Sequence, residues 1–322
     1  MNRASAWIAL FAGLILVSTA APFIRLTRID PFALVLLRMG ISAPLFLLAG
    51  IVLSRSLRTG LSLPREHLGR VALGGLLLAA HFLLWIKAFD LTSYSSNLLL
   101  LIAQPVMAAL LGSRVGERPT RETWIALGLS LVGLAAVAGA DVALGWRAVI
   151  GDLCSVLGGV AISFFYVETR DARAAMPVAT FMGWTMIFGA ATALPVVLVA
   201  GVPLHPMEAG PRAEALAASP LAMFGWTPSP WLWLAGLVLV TTMGGHGLMN
   251  AAARGVRLFT VNIVIVLEPP LGILLGMYLL GEKPPTPIQL GGGAVLAVAV
   301  VVALLPEARS GRTGPPPAVQ PE

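Results

Sequence analysis

Glu268 stands directly before Pro269 and Pro270 inside a long apolar stretch, and Gln104 stands before Pro105 in the same way. A proline within a membrane helix removes one backbone hydrogen bond and frees the carbonyl four residues earlier, Leu101 or Ile265. Lipid cannot satisfy such a carbonyl, so the break has to face protein or a wet cavity. A carboxylate near mid-membrane costs about 2.5–3.5 kcal/mol even on forgiving insertion scales. Glu268 is therefore paired, hydrated or protonated, and it is the strongest single candidate for meeting a solute. A structural contact to an arginine or a backbone amide of the other half accounts for it equally well. Arg38 follows Leu34-Val35-Leu36-Leu37. It can counter an anionic group, or it can snorkel to the nearer, outer interface. His81 and Trp85 are four apart and share a helix face, as do His246 and Asn250. Such faces offer hydrogen bonds and an apolar wall to a polar solute, and ordinary interhelical packing is their plainer use.

Other chemistries lack their motifs. The chain has no Walker sequence, no His-Glu-x-x-His and no Gly-x-Ser-x-Gly. Its single cysteine, Cys154, excludes an internal disulfide and a multi-cysteine metal site. The sequence thus calls for no enzyme activity, no metal and no cofactor.

The elements that must position these residues are membrane helices. Hydrophobic residues make up 57% of the chain and charged residues 11%, against about 45–50% and about 25% in soluble domains. Ten apolar runs fall near 6–24, 31–53, 71–89, 93–112, 123–140, 149–167, 178–201, 231–250, 259–280 and 288–305, each close to the roughly 20 residues a bilayer-spanning helix needs. The net charge of +6 is a topology signal, not a nucleic-acid footprint. With the N-terminus inside, fourteen basic residues fall in inner loops and six in outer ones, which places both termini in the cytoplasm. The long segment 202–230 ends in a tryptophan cluster that reads as an outer interfacial belt.

One phrase is written twice. Gln104-Pro105, Gly112 and Gly116-Glu117-Arg118-Pro119 return as Glu268-Pro269, Gly276 and Gly281-Glu282-Lys283-Pro284. Two copies over ten spans divide the chain into halves of five, 6–140 and 149–305, with 306–322 as a disordered cytoplasmic tail. Five is odd, so the second half enters the membrane inverted, and its turn at Gly281 lies outside where the turn at Gly116 lies inside. Offsetting the halves by the spacing of their proline motifs brings His81 within one residue of His246. Pro105, Gly112, Pro269 and Gly276 read as architectural. Glu117 and Glu282 read as caps, or as partners of Arg121 and Lys283.

With these residues the chain resembles the drug/metabolite transporter superfamily, EamA type, over roughly 6–305. Leu267-Glu268-Pro269 and Leu280-Gly281-Glu282 carry the likeness best, while Gln104 and Val115 depart from the usual phrase in the first half. The resemblance implies an all-α integral membrane protein of ten transmembrane helices in two inverted five-helix repeats. It implies a small-molecule substrate moved through a central cavity by alternating access, with export of amino acids or related compounds favoured. Arg38, His81, Trp85, Gln104, His246, Asn250 and Glu268 are the expected cavity residues. The expected surroundings are the lipid bilayer of the cytoplasmic membrane and no nucleic acid, with protons as a candidate coupling ion and either a monomer or a homodimer. A non-transporting scaffold, or an integral enzyme acting on lipid through a pair of acids in a lipid-open groove, is the competing class, and no convincing acid pair is visible in the sequence.

Overall fold

The computed structural model describes residues 3–111, 119–208, 220–223, 225, 228–252 and 264–309; the side chains of Arg3, Ala143, Asn250 and 307–309 lie outside that description. Every regular element among the described residues is helical. Among the described residues nine helical stretches are long and apolar enough to cross a membrane: Ala4–Leu26, Pro31–Ser54, Arg65–Ala88, Tyr94–Leu111, Arg121–Asp141, Trp146–Glu168, Val178–Ala200, Pro230–Met249 and Pro287–Pro306. The first eight are called here the first to eighth spans, and Pro287–Pro306 the last. Where the sequence predicts a run at 259–280, the described part is a shorter apolar helix, Glu268–Leu280. The last helix continues to Arg309, four residues into the segment that composition reads as tail.

Local chemistry sets the ends. Asp30 caps the second span, its carboxylate accepting from the Phe32 N–H at 2.8 Å, with Pro31 in the first turn, where no N–H is needed. Thr120 and Thr123 cap the fifth span reciprocally. The repeated Gly-Glu turn has a backbone reason in the second half. Gly281 ends the Glu268–Leu280 helix at φ 69°, and the Glu282 N–H returns to the Gly276 carbonyl at 3.2 Å. A left-handed glycine with that closure satisfies carbonyls that would otherwise lack partners.

Both proline motifs start a new helical segment and do not interrupt one. The fourth span is helical over Tyr94–Leu100, tightens to a 3-10 turn at Leu101–Ala103 and resumes at Gln104. The Gln104 N–H closes on the Leu101 carbonyl, so the turn itself satisfies the group that Pro105 was expected to leave free. Pro269 likewise sits in the first turn of its helix, after a break at 266–267. The eighth span holds a feature with no sequence precedent, a π-helical stretch Leu237–His246.

The most extensive helix contacts join the last span to the fifth, the seventh to the second and to the third, and the third to the sixth; the first span packs on the eighth. Small residues allow these approaches. Gly292 packs on Val137 and on the Gly133 carbonyl, and Gly245 packs on Val17. Gly276 lies so close to the Tyr94 ring that an added Cβ would collide with it. Gly112, Gly116 and Glu117 lie outside the described residues.

Candidate functional site

Arg38 lies in the second span, one of the largest side chains with no exposure at all. Its Nε donates to Thr242 Oγ1 at 2.9 Å, and its guanidinium carbon sits 4.0 Å from the centre of the Phe82 ring. Thr242 is available because the π-helical stretch widens the eighth span there, and Thr242 itself donates to the Leu237 carbonyl five residues back. The two remaining guanidinium nitrogens, Nη1 and Nη2, are buried without a hydrogen-bond partner among the described residues. Buried donors normally find partners, so this pair is unusual.

Around Arg38 the structure gathers three of the other expected residues. Glu268, His81 and His246 all interact electrostatically with it, and His81 with His246 as well. Glu268 and His246 keep some accessible surface although protein encloses them. His81 is held by a 2.9 Å contact from Nδ1 to the Gly158 carbonyl and by parallel stacking on Trp85 at 5.8 Å. That stack is the shared face that their four-residue spacing implies. Trp85 is buried, with its indole Nε1 unpartnered among the described residues. Tyr166 joins the group through its interaction with Glu268 and through Arg173, whose guanidinium lies 5.2 Å from its ring centre. Burial lowers the Arg173 guanidinium from its usual value, and Tyr166 opposes that shift.

Other candidates fall elsewhere. Gln104 is half-buried on the fourth span, and its described contact is by the backbone, its carbonyl accepting from Ser163 at 3.0 Å. Asn250 follows His246 by one helical turn, but its side chain lies outside the described residues. Glu282 does not pair with Lys283. It meets Arg25 of the first span at 3.3 Å. Asn97 bridges helices as expected, to the Trp85 carbonyl at 3.1 Å and to Ser155 at 2.6 Å, while Asn262 lies outside the described residues. In the tryptophan cluster Trp231 is exposed and Trp233 is buried against Phe23.

Phe82 and Thr242 were not anticipated. Phe82 is the residue after His81, and Thr241-Thr242 is a polar pair in an apolar run; both were legible only as possibilities. Among the described residues no three His, Cys, Asp or Glu side chains gather as metal ligands. A cleft of about 210 Å³ between the second and eighth spans is lined by Ile41, Leu45, Trp231, Leu234, Ala235, Val238 and Leu239, and so holds no acid or base.

Comparison with known proteins adds the family. The model of the EamA-like transporter family matches residues 4–139 and again 149–305. An uncharacterized transporter of Archaeoglobus fulgidus is 26% identical over 219 residues, which is 68% of this chain and 70% of that protein. A solved crystal structure aligns with 96% of this chain and 100% of its own at a TM-score of 0.64 and 20% identity, a likeness of fold alone. With both matches spanning most of an all-helical, multi-pass membrane chain, the protein belongs to the EamA-like transporter family of the drug/metabolite transporter superfamily.

Proposed function

We propose that the chain is a secondary carrier of the cytoplasmic membrane that moves a small metabolite bearing an anionic group, with export of amino acids or related compounds as the favoured task. The observation that carries this reading is Arg38, fully buried, with two guanidinium nitrogens that have no partner among the described residues. A carboxylate accepts two parallel hydrogen bonds from such a fork. Glu268 acts on Arg38 electrostatically without a direct ion pair among the described residues. Opposite charges held apart in one site suit a zwitterion, with carboxylate to Arg38 and ammonium to Glu268. His81 and His246 supply hydrogen bonds, Trp85 an apolar wall, and Gln104 and Asn250 further polar contacts. Enclosed yet partly accessible side chains at Glu268 and His246 are what a central cavity produces.

The architecture we infer is ten spans in two inverted halves, 6–140 and 149–305, with both termini inside. Packing between helices supports it. A two-fold axis in the membrane plane exchanges the first span with the sixth, the second with the seventh and the third with the eighth. Under that exchange the second–seventh contact maps onto itself, and the third–sixth contact maps onto the eighth–first; both are among the principal contacts. Against the lipid-enzyme reading, the cleft between the second and eighth spans is lined by apolar side chains, and no reacting group lines it.

Thermal unfolding of the purified protein with single amino acids and related acids tests the reading. A ligand bound only to the folded state stabilises it by about 2.7 kcal/mol at a hundredfold excess over its dissociation constant. A dose-dependent rise with a carboxylate-bearing compound, lost in Arg38→Lys, is expected. A response confined to compounds without an anionic group would overturn the substrate class.

A further inference from the structure

The outer ends of four helices enclose two carboxylates that play no part in the central site. Asp141 closes the fifth span and is 2% exposed; Asp152 lies in the first turns of the sixth and is 3% exposed. Thr92, from the turn before the fourth span, stands between them. Its hydroxyl is 2.8 Å from Asp141 Oδ2 and 2.6 Å from Asp152 Oδ1.

A hydroxyl carries a single proton and donates once. Both contacts are of hydrogen-bond length, so one of them needs a proton from a carboxyl. The two aspartates differ in how they are served. Asp141 also lies 3.1 Å from the Ser93 hydroxyl and 3.1 Å from Gln289 Nε2 of the last span, an environment built for a carboxylate. Among the described residues Asp152 has no donor besides Thr92, and its Oδ2 is buried without a partner there. An unserved oxygen is far less costly on a neutral acid than on a carboxylate.

We propose that Asp152 is the acid of a proton-sharing pair, donating through the Thr92 hydroxyl to the Asp141 carboxylate, so that the outer seam between the two halves binds one proton. The other charged groups at this end leave that assignment open to no simple neutralisation. The third span brings Lys87, which Asp90 engages at 3.7 Å; the fourth brings Tyr94, whose hydroxyl donates to the Gly272 carbonyl. The sixth span brings Cys154 and the exposed Arg147, and the last brings uncharged Gln289. Among the described residues no cation pairs with either aspartate. The contacts are also too tight for a further group: a Cβ added at Gly151 would fall 2.7 Å from Thr92. Loss of the proton would set two negative charges across one hydroxyl, where the fourth, fifth, sixth and last spans meet.

This proposal does not depend on the central site. Infrared difference spectra of the full-length protein in lipid nanodiscs, recorded while pH is raised from acid to alkaline, test it directly. The expected result is a carboxylic-acid carbonyl band present at neutral pH and lost in Asp152→Asn. In Asp141→Asn the band should vanish at lower pH, because the neighbouring charge is gone. Asp152→Asn mimics the neutral acid, so it should fold and should flatten the fall in melting temperature that the wild type shows on alkaline titration. Superimposable spectra of wild type and Asp152→Asn would overturn the proposal. So would an Asp152→Asn protein that melts well below wild type at neutral pH.

Discussion

At the scale of single residues, Arg38 is a cation with more donors than the described residues use. Arg38 spends its Nε on Thr242 and sets its guanidinium carbon over the Phe82 ring, and what remains is the Nη1/Nη2 fork. Lysine cannot reproduce that geometry. Arg38→Lys is therefore expected to weaken binding of an anionic ligand by about 10- to 100-fold, the cost of charge-assisted hydrogen bonds, measured by calorimetric titration of the purified protein. Thr242→Val keeps the charge but removes the hydroxyl that aims it, and a smaller loss in the same titration is expected. Glu268→Gln should weaken a zwitterion while sparing a simple carboxylic acid; equal effects on both would remove Glu268 from ammonium recognition. Arg38 and Glu268 were legible in the sequence because a charge inside an apolar run stands out in one dimension. Thr242 and Phe82 were not, since their roles arise only where two spans meet. Asp141 and Asp152 were equally hidden, because each alone reads as a polar residue at the end of a span.

Helices supply the next scale, and here breaks matter more than lengths. The nine spans match the predicted runs to within a few residues at most ends, because lipid imposes both length and composition. Sequence also marked both proline motifs as breaks. It did not reveal that a 3-10 turn would satisfy the Leu101 carbonyl, or that Pro269 would open a helix. The π-helical stretch at Leu237–His246 was invisible, since hydropathy is the same for either winding. Its consequence is specific: it carries Thr241 to Thr19 at 2.7 Å and Thr242 to Arg38. Close helix approach makes a further claim testable. Gly276 lies against the Tyr94 ring, whose hydroxyl donates to the Gly272 carbonyl. Gly276→Ala is expected to destabilise the protein by about 1–3 kcal/mol through overpacking, read from thermal unfolding in detergent. An unchanged melting curve would mean that this contact relaxes freely.

Over the whole molecule, the repeated phrase and the charge asymmetry of the loops are the grounds on which inverted halves with both termini inside are proposed. That claim has a direct check in a Cys154→Ser background, where one introduced cysteine reports one loop. An impermeant thiol reagent on intact cells should label Leu204→Cys and spare Arg58→Cys, both at exposed positions; the reverse pattern would invert the topology. The Arg25–Glu282 contact joins the first span to the Gly-Glu turn that ends the Glu268–Leu280 helix. Such a partly exposed pair is worth about 0–1 kcal/mol, so Glu282→Gln should leave the thermal unfolding midpoint nearly unchanged. Substrate identity was beyond the sequence, because a cavity's shape is set by contacts among spans that no periodicity records. The central claim is carriage of an anionic or zwitterionic metabolite past Arg38, and counterflow in proteoliposomes tests it most directly. Vesicles loaded with unlabelled amino acids and related acids should accumulate trace labelled compound with wild-type protein and fail to do so with Arg38→Lys. Equal accumulation by both proteins, or none by the wild type with any such compound, would contradict the account.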